Sequence, residues 1–141
     1  MKSINCVSLI CLVAHLDMNK KILIIENDRD IREIVDIVLT DQGYDVADCA
    51  HQSVTELQQY TADVIILDEW VLGKKAGHML CQELKAIDAL MHVPVIILST
   101  AHNIEEIACA CKADGFVRKP FDIEHLLTEV ARVCLLCTSP A

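Results

Sequence analysis

Four polar groups suited to phosphate chemistry each stand directly behind a short apolar run. Glu26 and Asn27 follow Lys21-Ile-Leu-Ile-Ile25, and Asp68 follows Val64-Ile-Ile-Leu67. Ser99 follows Val95-Ile-Ile-Leu98, and Lys119-Pro120 follows Gly115-Phe-Val-Arg118. Carboxylates forced together repel and lose hydration, so a fold keeps them only when something offsets the cost. A hard divalent cation does so, and Mg²⁺ typically takes one or two carboxylates with waters and phosphate oxygens. Asp68 can then serve as a nucleophile toward a phosphoryl group, giving an aspartyl phosphate. The charge spread over the phosphoryl oxygens calls for a metal, a cation and a donor; Lys119 offers the cation and Ser99 the hydroxyl. The plainer role for such acids is helix capping. It suits Asp28 and Asp30 better than Glu26 and Asp68, which end buried runs.

For these groups to meet, the runs must be parallel strands of one sheet, whose carboxyl ends share an edge. The intervening segments fit that demand. Ile31, Ile34, Val35, Val38 and Leu39 form an amphipathic helical stripe that Asp28 or Asp30 can cap and Gly43 ends. Tyr44 to Asp48 alternates like a half-buried strand, and residues 52–60 read as a weaker helix on Val54 and Leu57. A loop from Glu69 to Lys75 precedes a third helix marked by Leu80, Leu84, Ile87 and Met91, before Pro94 opens the fourth strand. Ile104, Ile107, Ala108 and Cys111 stripe a fourth helix. Ala113-Asp-Gly115 is a turn, and Asp122 caps a last helix carrying Ile123, Leu126, Leu127, Val130 and Val133. Five strand-then-helix repeats predict a doubly wound α/β fold with a parallel sheet. The three most apolar strands belong at the centre and 44–48 at an edge. This matches the flavodoxin-like (βα)5 order 2-1-3-4-5, with its ligand crevice beside strands 1 and 3.

Composition agrees. The chain of 141 residues suits one domain, and 53% hydrophobic but 4% aromatic residues predict an aliphatic core. A net charge of −9 argues against a nucleic-acid surface. The eight cysteines fall mostly within helical stripes, as small apolar residues do, which points to reduced thiols and a cytoplasmic protein. Cys109 and Cys111 lie about 200° apart on a helix, so they cannot share a zinc ion. Cys134-x-x-Cys137 ends a helix instead of preceding one, unlike a thioredoxin-type redox site. Residues 1–19 are expected to be an extension outside the fold. Their apolar stretch is too short to span a bilayer and lacks a small-x-small cleavage site. The domain is expected over 20–137, with 138–141 as a tail.

From residue 20 to about 134 the chain resembles the receiver domain of bacterial two-component response regulators. The resemblance rests on Ile22-Leu-Ile-Ile-Glu-Asn-Asp-Arg-Asp-Ile-Arg32, Val64-Ile-Ile-Leu-Asp68, Pro94-Val-Ile-Ile-Leu-Ser99 and Ala113-Asp-Gly-Phe-Val-Arg-Lys-Pro-Phe121. It implies that Asp68 is the phosphoacceptor. It further implies that Glu26, Asn27, Asp68 and the backbone carbonyl of Trp70 surround Mg²⁺, with Glu26 acting through water. Ser99 and Lys119 would bind the phosphoryl group, Phe116 would be the aromatic switch residue, and the Lys119-Pro120 bond would be cis. The donor would be a histidine kinase or histidine phosphotransfer protein. The resemblance is to a phosphoacceptor signalling domain, not an enzyme, here of stand-alone type, signalling through protein contact with an output partner. The face of the fourth helix, fifth strand and fifth helix, with Glu105, Glu106, Lys112, Arg118, Glu124 and Arg132, is the family's usual output and dimer surface.

Several residues depart from the family pattern. Asn27 stands where a metal-binding acid is usual, which lowers the charge at the metal and its expected affinity. Leu72 replaces a proline, Lys75-Ala76 replaces Asp-Gly, and Thr100 replaces a smaller alanine. Asp28 falls one residue late to serve as the missing acid. Asn27 keeps a second reading open: an interaction module of the same fold that works without phosphorylation. A flavodoxin-type flavin or nucleotide enzyme ranks below both, because no Gly-rich phosphate loop follows the first strand.

Overall fold

The computed structural model describes residues 20–49, 57–71, 74–75 and 77–138. Five parallel strands form one sheet: β1 (Lys21–Ile25), β2 (Asp45–Cys49), β3 (Val64–Asp68), β4 (Val95–Ser99) and β5 (Gly115–Arg118). Their order is β2-β1-β3-β4-β5, so the expected flavodoxin-like topology holds and the apolar strands are central. The α-helices among the described residues are α1 (Arg29–Asp41), α2 (Gly77–Lys85), α3 (Ile104–Ala110) and α4 (Ile123–Thr138).

Alternation along each strand splits the core in two. Ile22, Ile24, Val64, Ile66, Ile96 and Leu98 pack on one face with Val35, Leu39, Leu126 and Val130 of α1 and α4. Leu23, Ile25, Ile65, Leu67 and Ile97 pack on the other with Leu80 and Leu84 of α2 and Ile104 of α3. Each such side chain withdrawn from water contributes about 1.5–3 kcal/mol before chain entropy is counted.

The helix ends follow local chemistry. Asp28 is the cap of α1, and its carboxylate accepts from the Asp30 and Ile31 amides. At the other end Gly43 adopts φ 95°. Its amide donates to Thr40 O, and that of Tyr44 donates to Leu39 O. This is a Schellman closure, sealed by the burial of Tyr44 and Leu39 in one cluster. Asp122 accepts from the Glu124 amide and caps α4 as expected.

Some elements differ from the sequence reading. The second strand is shifted by one residue, to Asp45–Cys49, because Tyr44 is spent on closing α1. The third helix stops at Lys85 instead of running to Met91. Its last side chain turns back to clamp the return segment: Lys85 Nζ donates to Val93 O at 2.9 Å and to Asp114 Oδ2 at 2.8 Å. The chain then proceeds through turns, which bury Leu90 and leave Met91 exposed. Ile123, expected on the apolar stripe of α4, is also exposed. In place of a plain loop after Asp68, Trp70–Val71 pairs antiparallel with Lys74–Lys75. Of the second expected helix, residues 52–56 lie outside the described residues. Leu57 is buried as anticipated, and Gln58–Tyr60 is a single 3-10 turn. Residues 1–19 and 139–141 also lie outside the described residues, and α4 extends one residue past the expected boundary at 137.

Candidate functional site

Strand register brings the polar ends together. Ile25 pairs with Leu67, so Glu26 leaves β1 beside Asp68 at the end of β3. Asp68 pairs with Leu98, one residue before Ser99, and Ser99 pairs with Arg118, one residue before Lys119. The Lys119 amide donates to Ser99 O at 2.9 Å, which fixes the start of the Lys119 side chain. The Lys119-Pro120 bond is cis.

Lys119 Nζ donates to Glu26 Oε2 at 2.8 Å and to Asp68 Oδ1 at 2.9 Å. Both carboxylates are almost fully buried, Glu26 at 1% and Asp68 at 5% exposure. Glu26 is held further by the Asp28 amide, which donates to Oε1 at 3.0 Å. Burial pushes the Glu26 carboxyl above its usual range, and the Lys119 ammonium and Asp28 amide oppose this only in part. Burial also works against the charge on Lys119. Its hydrogen bonds to Glu26 and then Asp68 outweigh that, and its pKa lies above the ordinary lysine value.

A cleft of about 350 Å³ opens over this triad, lined by Glu26, Asn27, Asp28, Ile31, Asp68, Thr100 and Lys119. Asn27 is exposed at its rim. Asp28 lines the cleft, but its carboxylate is committed to the α1 cap, so it does not replace the missing acid. Ser99 is buried, and its Oγ accepts from the Ala101 amide at 3.0 Å. Phe116 on β5 is half-buried beneath the Arg118 guanidinium, 6.0 Å from its ring centre. The backbone at Trp70 is held in the short ribbon that follows Asp68.

Two buried carboxylates share one ammonium here, which leaves unbalanced negative charge facing the cleft. No three His, Cys, Asp or Glu side chains among the described residues are placed to hold a metal by themselves. Glu26 and Asp68, the amide of Asn27 and a backbone carbonyl make a hard-oxygen set that suits Mg²⁺ with water completing the shell, not zinc. Cys109 is exposed and Cys111 buried, on opposite sides as the helical spacing required.

The structure adds residues that the motifs did not single out. Arg32 Nη1 donates to Glu26 O at 2.9 Å and braces the strand end from α1. Gly77 opens α2 against the end of β3, where a Cβ would lie 2.8 Å from Glu69 Cα. Its amide donates to Glu69 O at 3.0 Å. Glu69 is itself buried. Its Oε1 meets His78 Nδ1 at 3.0 Å, and its Oε2 has no partner among the described residues. The only sequence signal for Glu69 was an acid directly behind a buried strand, and that signal was absorbed by its neighbour Asp68.

The model of the response regulator receiver domain matches residues 22–131. The chain belongs to the response regulator receiver domain family. Among its relatives, the DNA-binding dual master transcriptional regulator RpaA of a Synechocystis species is 33% identical, over 78% of this chain and 47% of RpaA. The phosphate regulon regulator PhoB of Escherichia coli is 28% identical, over 82% of this chain and 52% of PhoB. The receiver thus spans about half the length of these relatives. Among solved structures, the signal receiver domain of a Syntrophus aciditrophicus histidine kinase has a TM-score of 0.76 at 26% identity, covering 86% of this chain and 95% of that one. The receiver domain of Pseudomonas aeruginosa sensor histidine kinase PA1611 was solved with magnesium in its active site cleft. It has a TM-score of 0.72 at 21% identity, with 82% and 98% of the two chains covered. Receiver domains of this family are signalling units of two-component phosphorelays. No helix among the described residues is long and apolar enough to cross a membrane.

Proposed function

We propose that this receiver takes a phosphoryl group on Asp68 from a histidine kinase or histidine phosphotransfer protein and signals by a change in protein contacts. The observation that supports this most is the Lys119 bridge. An ammonium 2.9 Å from Asp68 Oδ1, at the floor of an open cleft, stands beside the carboxylate that would carry the phosphate. In the transfer, an Asp68 oxygen forms the new P–O bond as the P–N bond to the donor histidine breaks. The imidazole leaves with its electron pair. Lys119 and the Ser99 hydroxyl meet the charge on the phosphoryl oxygens. Asp68, Asn27 and the Trp70 carbonyl would hold Mg²⁺, with Glu26 acting through water. The ion supplies positive charge that neutralises the phosphoryl oxygens when bound.

Ser99 gives up the Ala101 amide to reach the phosphate, which frees the loop it now holds and lets Phe116 move beneath it. The output is read on the face of α3, β5 and α4, by a partner protein or a second copy. Asn27 favours a second reading, a receiver used as an interaction module without phosphorylation.

Acetyl phosphate with Mg²⁺ separates the two by intact mass. The first reading expects a phosphoryl increment on wild type that is absent in Asp68→Ala. An unmodified wild type, or an Asp68→Ala variant that still takes the increment, would overturn it. Trp70 is the sole tryptophan, so its fluorescence can follow Mg²⁺. Asn27→Asp restores a charge at the metal and should tighten Mg²⁺ roughly tenfold, by analogy with the effect of one neighbouring opposite charge on an ionised group. Unchanged affinity would remove position 27 from the metal site.

A further inference from the structure

Behind the sheet, away from the phosphate cleft, two buried cysteines from distant parts of the chain meet. Cys81 lies on the inner face of α2 and Cys111 just past the end of α3, at 0% and 1% exposure. Cys81 Sγ donates to Cys111 O at 3.3 Å, which places its sulfur against the Cys111 residue. Cys111 Sγ reaches back to Ala108 O at 3.5 Å. Both are free thiols, and the apolar contacts of the second core cluster hold them side by side.

Cys111 is buried but not walled in on every side. It lines two cavities, one of about 210 Å³ with Gln82, Lys85 and Lys112, the other of about 250 Å³ with Glu69, His78 and Asn103. The hydrogen bond from Cys81 pulls the Cys111 thiol down to about 7, while the same bond and burial push Cys81 up. Cys111 is the more readily ionised of the two thiols, and the thiolate is the form that attacks a peroxide.

We propose that Cys81 and Cys111 form a reversible disulfide when a hydroperoxide enters the cavities beside α2. The Cys111 thiolate attacks the terminal peroxide oxygen. The S–O bond forms, the O–O bond breaks, and the alkoxide or hydroxide leaves and takes up a proton. Cys81 sulfur then attacks Cys111 sulfur, the S–S bond forms and the S–O bond breaks. Water leaves with the Cys81 proton. Two thiols lose two electrons in all, and the hydroperoxide is reduced to an alcohol, or to water, plus a second water. The bond ties α2 to the end of α3, and both helices pack on β4, the strand that ends at Ser99. It does not depend on phosphorylation of Asp68.

The test treats the native full chain with hydrogen peroxide, blocks remaining thiols, digests without reductant and maps the cystines by mass. Trypsin places Cys81 in one peptide and Cys109 with Cys111 in another, so fragment ions and a Cys109→Ser variant assign the partner. The expected result is a Cys81–Cys111 link, lighter by two hydrogens, present in wild type and Cys109→Ser and removed by dithiothreitol. The oxidised protein should melt about 5 °C higher, because the bond closes a loop of some thirty residues in the unfolded chain. Cys81→Ser and Cys111→Ser should each lose the link and the rise in Tm. Overturning results are Cys81 blocked as a free thiol while exposed Cys109 alone is oxidised, or a link from Cys81 to any other cysteine. These hold in wild type, so they do not rely on either variant folding.

Discussion

On the β1–β3 side of the cleft, Lys119 ties two buried carboxylates with bonds of 2.8 and 2.9 Å. On the β4 side, Ser99 is held through the Ala101 amide at 3.0 Å. The loop beyond it is pinned by Arg118, which donates to Ala101 O and His102 O at 3.2 and 3.1 Å from an exposed position. The first half is charged, buried and braced from α1 by Arg32. The second is held by a buried hydroxyl and an exposed guanidinium, with no ion pair between them. Charge buried that way resists movement, because separating the ions strands each without solvent. Backbone bonds in reach of water exchange cheaply. Under the proposed function the halves would do separate work: one would fix where the phosphate sits, and the other would move when it arrives.

The strongest way to break that contrast is Lys119→Met. It keeps the length of the stem but leaves Glu26 and Asp68 buried together without a cation. Urea unfolding at pH 7 should show a loss of about 3 kcal/mol, the cost typical of breaking a buried pair. The loss should shrink on acidification as Glu26, already pushed toward protonation by burial, becomes neutral. A stability equal to wild type at pH 7 would mean that the charged half is no more rigid than its neighbour.

The mobile half is sharpened by Arg118→Ala. Arg118 is exposed, so its hydrogen bonds and its contact over Phe116 should contribute only about 0.5–1 kcal/mol to global stability. The local effect should be larger. Amides of residues 101–104 should exchange faster with deuterium, while those of β1 and β3 stay protected. Equal acceleration in β1 would join the two halves into one unit.

The same contrast explains what could be read from the residues alone. The apolar runs and their polar terminators are a local pattern, and the sheet order follows from which runs are apolar throughout. The site's members were therefore visible one by one. Their pairing was not. That Lys119 bridges Glu26 and Asp68 depends on register through four strands and three pairings, and a sequence pattern of period two leaves register open. Helix α2 was overextended for a related reason. Ile87 and Met91 fit the stripe, but the helix stops at Lys85, whose ammonium reaches Asp114, almost thirty residues away. Glu69 and Gly77 went unnoticed because their roles lie in one close approach between α2 and the end of β3. No periodicity encodes such an approach.

The smallest expected effect probes the charged half by pH. Glu26→Gln keeps the shape of the side chain and a hydrogen-bond acceptor for Lys119, and removes one titration. The folded Glu26 pKa lies above the ordinary value of 4.5, and the unfolded one sits near it. Between these values the folded protein holds more proton at this site than the unfolded chain does, so the Glu26 contribution to stability falls as pH rises. It is fully present below about 4.5 and is lost as pH passes through the folded pKa. Lys119 also has a raised pKa, but its stabilisation persists until pH exceeds the ordinary lysine value of 10.5, so it adds no slope in this window. Wild type should therefore lose stability relative to Glu26→Gln as pH rises from about 4.5 through the folded Glu26 pKa, with parallel curves above it. Parallel curves across the acid window as well would mean that attraction to Lys119 fully offsets the burial of Glu26. The triad would then rest in balance without a divalent cation, and the case for metal in the cleft would lose its electrostatic basis.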